Sequence, residues 1–154
     1  MPQTSGDLRI TPDSRFAIIA SRWNPTIVDA LVSSAETVLK AHGVHADSVD
    51  VLRVPGAWEL PVLAAQLAAA GKHVAILAFG CVVRGDTRHF EQVADGCAEG
   101  LMRVAIDYRL PVLNGVLAVE LHADAVARSG GAHGNKGEEV AMAAMEMADL
   151  WRKL

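Results

Sequence analysis

Four short runs of apolar, often β-branched residues punctuate this chain, and between them apolar positions recur every three or four residues. The runs at 15–21, 48–54, 72–79 and 111–119 are short and bounded by turn residues, so they read as buried strands. After the first run, Asn24 and Pro25 start a helix, with Asn24 as its cap and Pro25 at the first helical position. Ile27, Leu31, Ala35, Val38 and Leu39 give that helix an apolar face, and Gly43 ends it. The second run turns at Pro55 and Gly56 into a helix over 60–70, stopped by Gly71. The third enters a turn at Gly80. The longest helix follows over 87–108, with Phe90, Val93, Cys97, Leu101, Val104 and Tyr108 along one side. A short helix over 122–128 closes at Ser129, Gly130 and Gly131, and a final helix covers 138–154.

Strands alternating with helices pair in parallel through crossover connections. The pattern therefore predicts a four-stranded parallel sheet in a three-layer α/β/α domain of the flavodoxin-like kind, spanning residues 15–154. Residues 1–14 are polar, with Gly6 and Pro12 and no helical period, and read as an arm. Within it Leu8, Arg9 and Ile10 suit the extension of a sheet edge.

Composition narrows the class. At 154 residues, 51% of them hydrophobic, the chain suits a single domain with a sheet buried on both faces. A net charge of −4 disfavours nucleic acid as a partner. No apolar run approaches the roughly 18 residues that a membrane helix needs, and the first residues lack a signal peptide's pattern. Cys81 and Cys97 have neither redox nor metal-ligand spacing, so they read as reduced thiols of a cytoplasmic protein. Cys81 stands where it can line a site wall. No metal is expected.

In parallel α/β sheets ligands bind beyond the carboxyl ends of the strands, and the distinctive polar residues fall there. Trp23 follows the first strand, either as a hydrophobic staple or as a flat face for an aromatic ligand. After the second come Ala57, Trp58 and Glu59. Glu59 is equally suited to ligand hydroxyls and to complementing the helix N-terminus, while Trp58 reads mainly as a packing residue. After the third, Gly85, Asp86 and Thr87 offer backbone N–H groups to an anion at the start of a helix, and His89 in its first turn reads either as a base beside that anion or, on spacing alone, as a surface helix residue. Asp86 repels a phosphate unless it faces solvent or pairs with Arg84 or Arg88. Arg128 and Lys136 bracket a glycine-rich stretch between the last two helices, read either as an anion-binding loop or as a flexible connection. Glu138 and Glu139 are placed to cap the final helix. His122 and His133 read as surface residues. Together these segments point to an enzyme acting on a small phosphorylated substrate.

The ordered set also resembles a known family. Arg22-Trp-Asn, Pro55-Gly-Ala-Trp-Glu-Leu-Pro, Gly80-Cys-Val-Val-Arg-Gly-Asp-Thr-Arg-His-Phe, Pro111-Val-Leu-Asn-Gly-Val-Leu and Gly134-Asn-Lys-Gly match the lumazine synthases in order and spacing. The resemblance implies a cofactor-independent condensation of 5-amino-6-(D-ribitylamino)uracil with 3,4-dihydroxy-2-butanone 4-phosphate. It assigns Trp23 to stacking on the pyrimidine, and Asn24, Ala57, Trp58 and Glu59 to the pyrimidine and ribityl pocket. Val82 and Val83 would contact the ring through their backbone. Gly85, Asp86 and Thr87 would face phosphate, and His89 would move protons. Arg128, Asn114 and Lys136 would arrive from a neighbouring subunit. Family members form pentamers, some gathered by twelves into an icosahedral shell, with the arm adding a strand to a neighbour. Two positions depart from the usual pattern: Asn114 and Trp58 both stand where many members carry Phe. The alternative is a non-catalytic lumazine- or flavin-binding shell protein of the same fold, against which His89, Arg128 and Lys136 speak.

Overall fold

β1 (Phe16–Ser21) is buried along its whole length in the computed structural model, which describes all 154 residues. It pairs in parallel with β2 (Val49–Val54) on one side and β3 (Ala75–Val83) on the other, and β4 (Val112–Val119) pairs with β3. The order β2-β1-β3-β4 reverses the direction of winding between β1 and β3. Helices cover both faces, because alternate residues of the two central strands are apolar on both sides. Phe16, Ile18, Ala20, Leu77 and Phe79 pack under α1 (Pro25–Ala41) and α5 (Lys136–Lys153). Ala17, Ile19, Ile76 and Ala78 pack under α2 (Leu60–Ala70) and α3 (His89–Tyr108). Each fully buried large aliphatic or aromatic side chain contributes about 1.5–3 kcal/mol, so these two layers dominate stability. The three-layer parallel architecture is the one the periodicity predicts.

Four local expectations need correction. First, β3 does not turn at Gly80. It runs on through Val83, because β4 is long enough to pair Val116 with Gly80 and Val119 with Val83. Helix α3 accordingly starts at His89, two residues later than predicted.

Second, Asn24 precedes α1 in a left-handed conformation (φ 55°, ψ 56°) and its side chain caps nothing. Its Nδ2 instead donates to the Cys81 carbonyl, 3.0 Å away, tying the exit of β1 to the end of β3. Third, the glycine-rich stretch is not a free loop. α4 (His122–Arg128) leads into a small antiparallel pair, β5 (Ser129–Gly131) and β6 (Gly134–Asn135). Asn135, not Glu138 or Glu139, caps α5 by accepting from the Gly137 N–H at 2.8 Å. An Asn oxygen at the cap position satisfies a donor that the glutamates, already inside the first turn, do not reach.

Fourth, the arm forms no strand and extends no edge of its own sheet; it lies along α5. The buried Asp149 carboxylate accepts from the Asp7 N–H at 2.8 Å and pairs with Lys153 at 2.9 Å and with Arg152. Lys153 and its neighbours hold that carboxyl below the usual range. Gly6 sits so close to the Glu146 carbonyl that an added Cβ would lie 1.9 Å from the oxygen, so only glycine permits the contact. Leu8 and Ile10 cover the edge of the larger core layer.

Candidate active site

The reversal between β1 and β3 opens a crevice at the carboxyl end of the sheet, as winding in opposite directions requires. A cavity of about 890 Å³ lies there, large enough for a bicyclic ligand with a side chain. Three strand exits and one helix build it. The exit of β1 supplies Trp23 and Asn24, and the turn after β2 supplies Ala57, Trp58 and Glu59. The end of β3 supplies Cys81, Val82 and Val83. Helix α3 presents His89, Gln92, Val93 and Gly96, the spacing of a single helix face.

Both tryptophans face this opening. Trp23 is 72% exposed and Trp58 60% exposed, an unusual cost for indoles unless something covers them. Trp58 is not the plain packing residue expected from sequence. One edge of its ring rests on α3 at Gly96, where an added Cβ would come within 2.6 Å of Cζ3, and the remainder borders the cavity. Glu59 accepts from the Gly56 N–H at 3.0 Å, so one carboxylate oxygen closes the turn that carries Trp58.

Beyond β3 the chain passes through Gly85, Asp86 and Thr87 at the rim. The backbone amides of these three have no partner within the chain, and the Thr87 hydroxyl accepts from the His89 N–H at 3.3 Å. Asp86 is exposed and pairs with neither neighbouring arginine. Arg84 is committed elsewhere: its guanidinium bonds Glu120 and Glu91 and lies 4.4 Å over the Phe90 ring. It pins the strand exit to α3 and holds the Glu91 carboxyl below its usual range. Burial raises the thiol pKa of Cys81, and that of Cys97 to about 11, so neither is a thiolate nucleophile near neutrality.

Gly85, Asp86 and Thr87 do not line the cavity, and three further residues singled out in the sequence also lie outside their own chain's cleft. Asn114 sits within edge strand β4, its Oδ1 accepting from the Val116 N–H at 3.0 Å. The half-buried Arg128 donates to the Asp124 carbonyl at 2.9 Å. Lys136 opens α5, 4.0 Å from Glu139. Conversely, Gln92, Val93 and Gly96 line the cavity without having been singled out. Their offsets of three, four and seven from His89 were the available signal. A second, largely apolar cavity of about 650 Å³ lies between Ile106, Leu113 and Trp151 and carries no such polar cluster. No group of three or more His, Cys, Asp or Glu side chains is placed to hold a metal ion.

A doubly wound α/β domain with a wide cleft at its switch point, aromatic walls and a histidine at a helix start belongs to the class that handles small planar ligands. The chain is a member of the 6,7-dimethyl-8-ribityllumazine synthase family, whose profile matches residues 13–152. It is 62% identical to the 6,7-dimethyl-8-ribityllumazine synthase of Stenotrophomonas maltophilia strain R551-3 over 154 residues, covering 100% of this chain and 99% of that one. The Xanthomonas oryzae pv. oryzae PXO99A protein of the same name is 59% identical over the same span and coverage.

Proposed function

We infer that this chain is an enzyme, a transferase that condenses 5-amino-6-(D-ribitylamino)uracil with 3,4-dihydroxy-2-butanone 4-phosphate. The products are 6,7-dimethyl-8-ribityllumazine, phosphate and water, in the penultimate step of riboflavin biosynthesis. The observation that carries the reading is the convergence of Trp23, Glu59, Val82 and His89 on one cleft, in a chain of this family. The pyrimidine's 5-amino group attacks the ketone and water leaves as the imine forms. Phosphate is then eliminated, and the ribityl-bearing nitrogen closes the second ring with loss of another water.

The family resemblance, together with the placement of these residues in and around the cleft, supports the following roles. Trp23 stacks on the pyrimidine, and Val82 and Val83 meet the ring edge through their backbone. Asn24, Ala57, Trp58 and Glu59 enclose the pyrimidine and ribityl chain, the second Glu59 oxygen accepting from a hydroxyl. The unpartnered amides of Gly85, Asp86 and Thr87 receive the phosphate, with Asp86 turned to solvent. His89 moves the proton. Asn114, Arg128 and Lys136 complete the cleft of an adjacent subunit, an arrangement supported by their absence from their own. We take the assembly to be a pentamer with shared sites. No helix is long and apolar enough to cross a membrane, in keeping with work in the cytoplasm. Holding two substrates together supplies roughly 7–11 kcal/mol of a barrier, against about 10²–10⁴-fold from acid–base help. Positioning therefore does most of the catalysis.

Mixing the purified protein with both substrates and following lumazine fluorescence tests the enzyme reading, and a rate no greater than the uncatalysed one overturns it. Native mass spectrometry with Arg128→Ala kinetics tests the shared site. The expected results are a pentamer or a multiple of it, and a raised KM for the butanone phosphate. A fully active monomer overturns that arrangement.

A further inference from the structure

The cleft's polar side chains divide into committed and free. Apart from the two indoles and the Cys81 thiol, they are Asn24, Glu59, His89 and Gln92. Asn24 is spent on the Cys81 carbonyl, and Glu59 gives one oxygen to the Gly56 N–H. His89 and Gln92 have no side-chain partner within the chain. Gln92 stands one turn beyond His89, about 4.5 Å further along the axis of α3. The next turn of the same face is Gly96, the seat of Trp58. The free amide thus lies between the proposed proton-transfer residue and the wall proposed to flank the ribityl chain.

We propose that Gln92 is a substrate-binding residue that positions the ribityl chain by hydrogen-bonding its hydroxyls. This rests on the reading of the cleft given above. A carboxamide presents a donor and an acceptor together, which matches successive hydroxyls of a polyol, each itself donor and acceptor. Gln92 is exposed and borders the cavity, so its amide is open to a ligand, whereas Glu91, one residue earlier, is committed to Arg84. Holding the polyol at Gln92 keeps the ribityl-bearing nitrogen from rotating out of line for ring closure, while Trp58 confines the chain from the other side.

The test compares wild type with Gln92→Ala and Gln92→Glu on two pyrimidines, the natural one and an analogue whose 6-alkylamino chain lacks hydroxyls. Losing a neutral hydrogen bond or two corresponds to roughly three- to thirtyfold in affinity. For Gln92→Ala the KM for the natural pyrimidine should rise by that factor. The KM for the butanone phosphate should stay put, and the melting temperature should not move. Gln92→Glu, which keeps the acceptors and loses the donors, should fall between. With the hydroxyl-free analogue, wild type and Gln92→Ala should be alike. Equal losses on both pyrimidines, or a rise confined to the butanone phosphate, overturn the assignment. A wild-type protein that makes no lumazine overturns the parent reading, and this one with it.

Discussion

At the amino end of the sheet, polar groups are tied to one another. Asp50 accepts from Arg15 Nη2 at 2.7 Å and Nε at 3.1 Å, and from His73 Nε2 at 2.7 Å. These residues stand at the starts of β1, β2 and β3, so the cluster staples three strands together. The His73 side chain is only 4% exposed, its Nε2 donating to the Asp50 carboxylate while its Nδ1 has no partner. At the carboxyl end the same strands finish among uncommitted groups: three rim amides, His89, Gln92 and two exposed indoles. Folding used the polar groups of one end for cohesion and, at the other, committed Asn24, Glu59 and Arg84 while leaving His89 and Gln92 open. Exposed, uncommitted polar groups gathered around one cleft, rather than polarity itself, distinguish that end of the sheet.

That contrast predicts a separation of effects. The largest should come from His89→Ala, with turnover lowered on the order of 10²-fold, the low end of general acid–base contributions. Its thermal midpoint should match wild type, and residual activity should still exceed the uncatalysed rate. A silent variant would remove His89 from the mechanism.

Asp50→Ala should do the reverse. It strands the buried His73 N–H without an acceptor, at a cost of about 1–3 kcal/mol. For a chain of this length that is about 2–4 °C in Tm per kcal/mol. Turnover by the remaining folded protein should be unchanged, as thermal denaturation alongside single-temperature kinetics will show.

Gly96→Ala probes the seam between seat and site. Its methyl would displace the Trp58 ring and raise the KM for the pyrimidine several-fold, at an overpacking cost of about 1–3 kcal/mol. An unaltered KM would mean that the position of Trp58 does not matter to binding.

The smallest effect is in acid. Arg15, and then His73, hold the Asp50 carboxyl below its usual range. The stabilisation is present above the ordinary carboxylate value, near 4, and is lost as pH falls through the depressed one. The Tm gap between wild type and Asp50→Asn should therefore shrink below about pH 4. A gap that widened there would reverse the assigned sign.

How much of this was legible beforehand differs between the sheet and the cleft. Period and punctuation located all four main strands and all five α-helices, because each must bury an apolar face whose spacing is written along the chain. The end of β3 was misread: Gly80 looks like a turn residue, and only pairing with β4 shows that the strand continues. Asn24 was recognised as important for the wrong local reason, since its partner, the Cys81 carbonyl, is 57 residues away. The cleft's residues from strand exits were found because topology sends them to one end. Gln92 and Gly96 were missed because, inside a helix, sequence does not say which face meets a ligand and which meets solvent.

Alone, the amino-acid order determined the alternation of strands and helices, the sheet's parallel sense and the cluster of chemistry at the strand exits. Each of these depends on spacing within a segment or between neighbouring ones. Tertiary structure decided which polar atoms remain free, which side chains a single protomer brings together, and which it leaves outside its own cleft. Those outcomes depend on contacts between residues far apart along the chain, where geometry rather than order sets the distance.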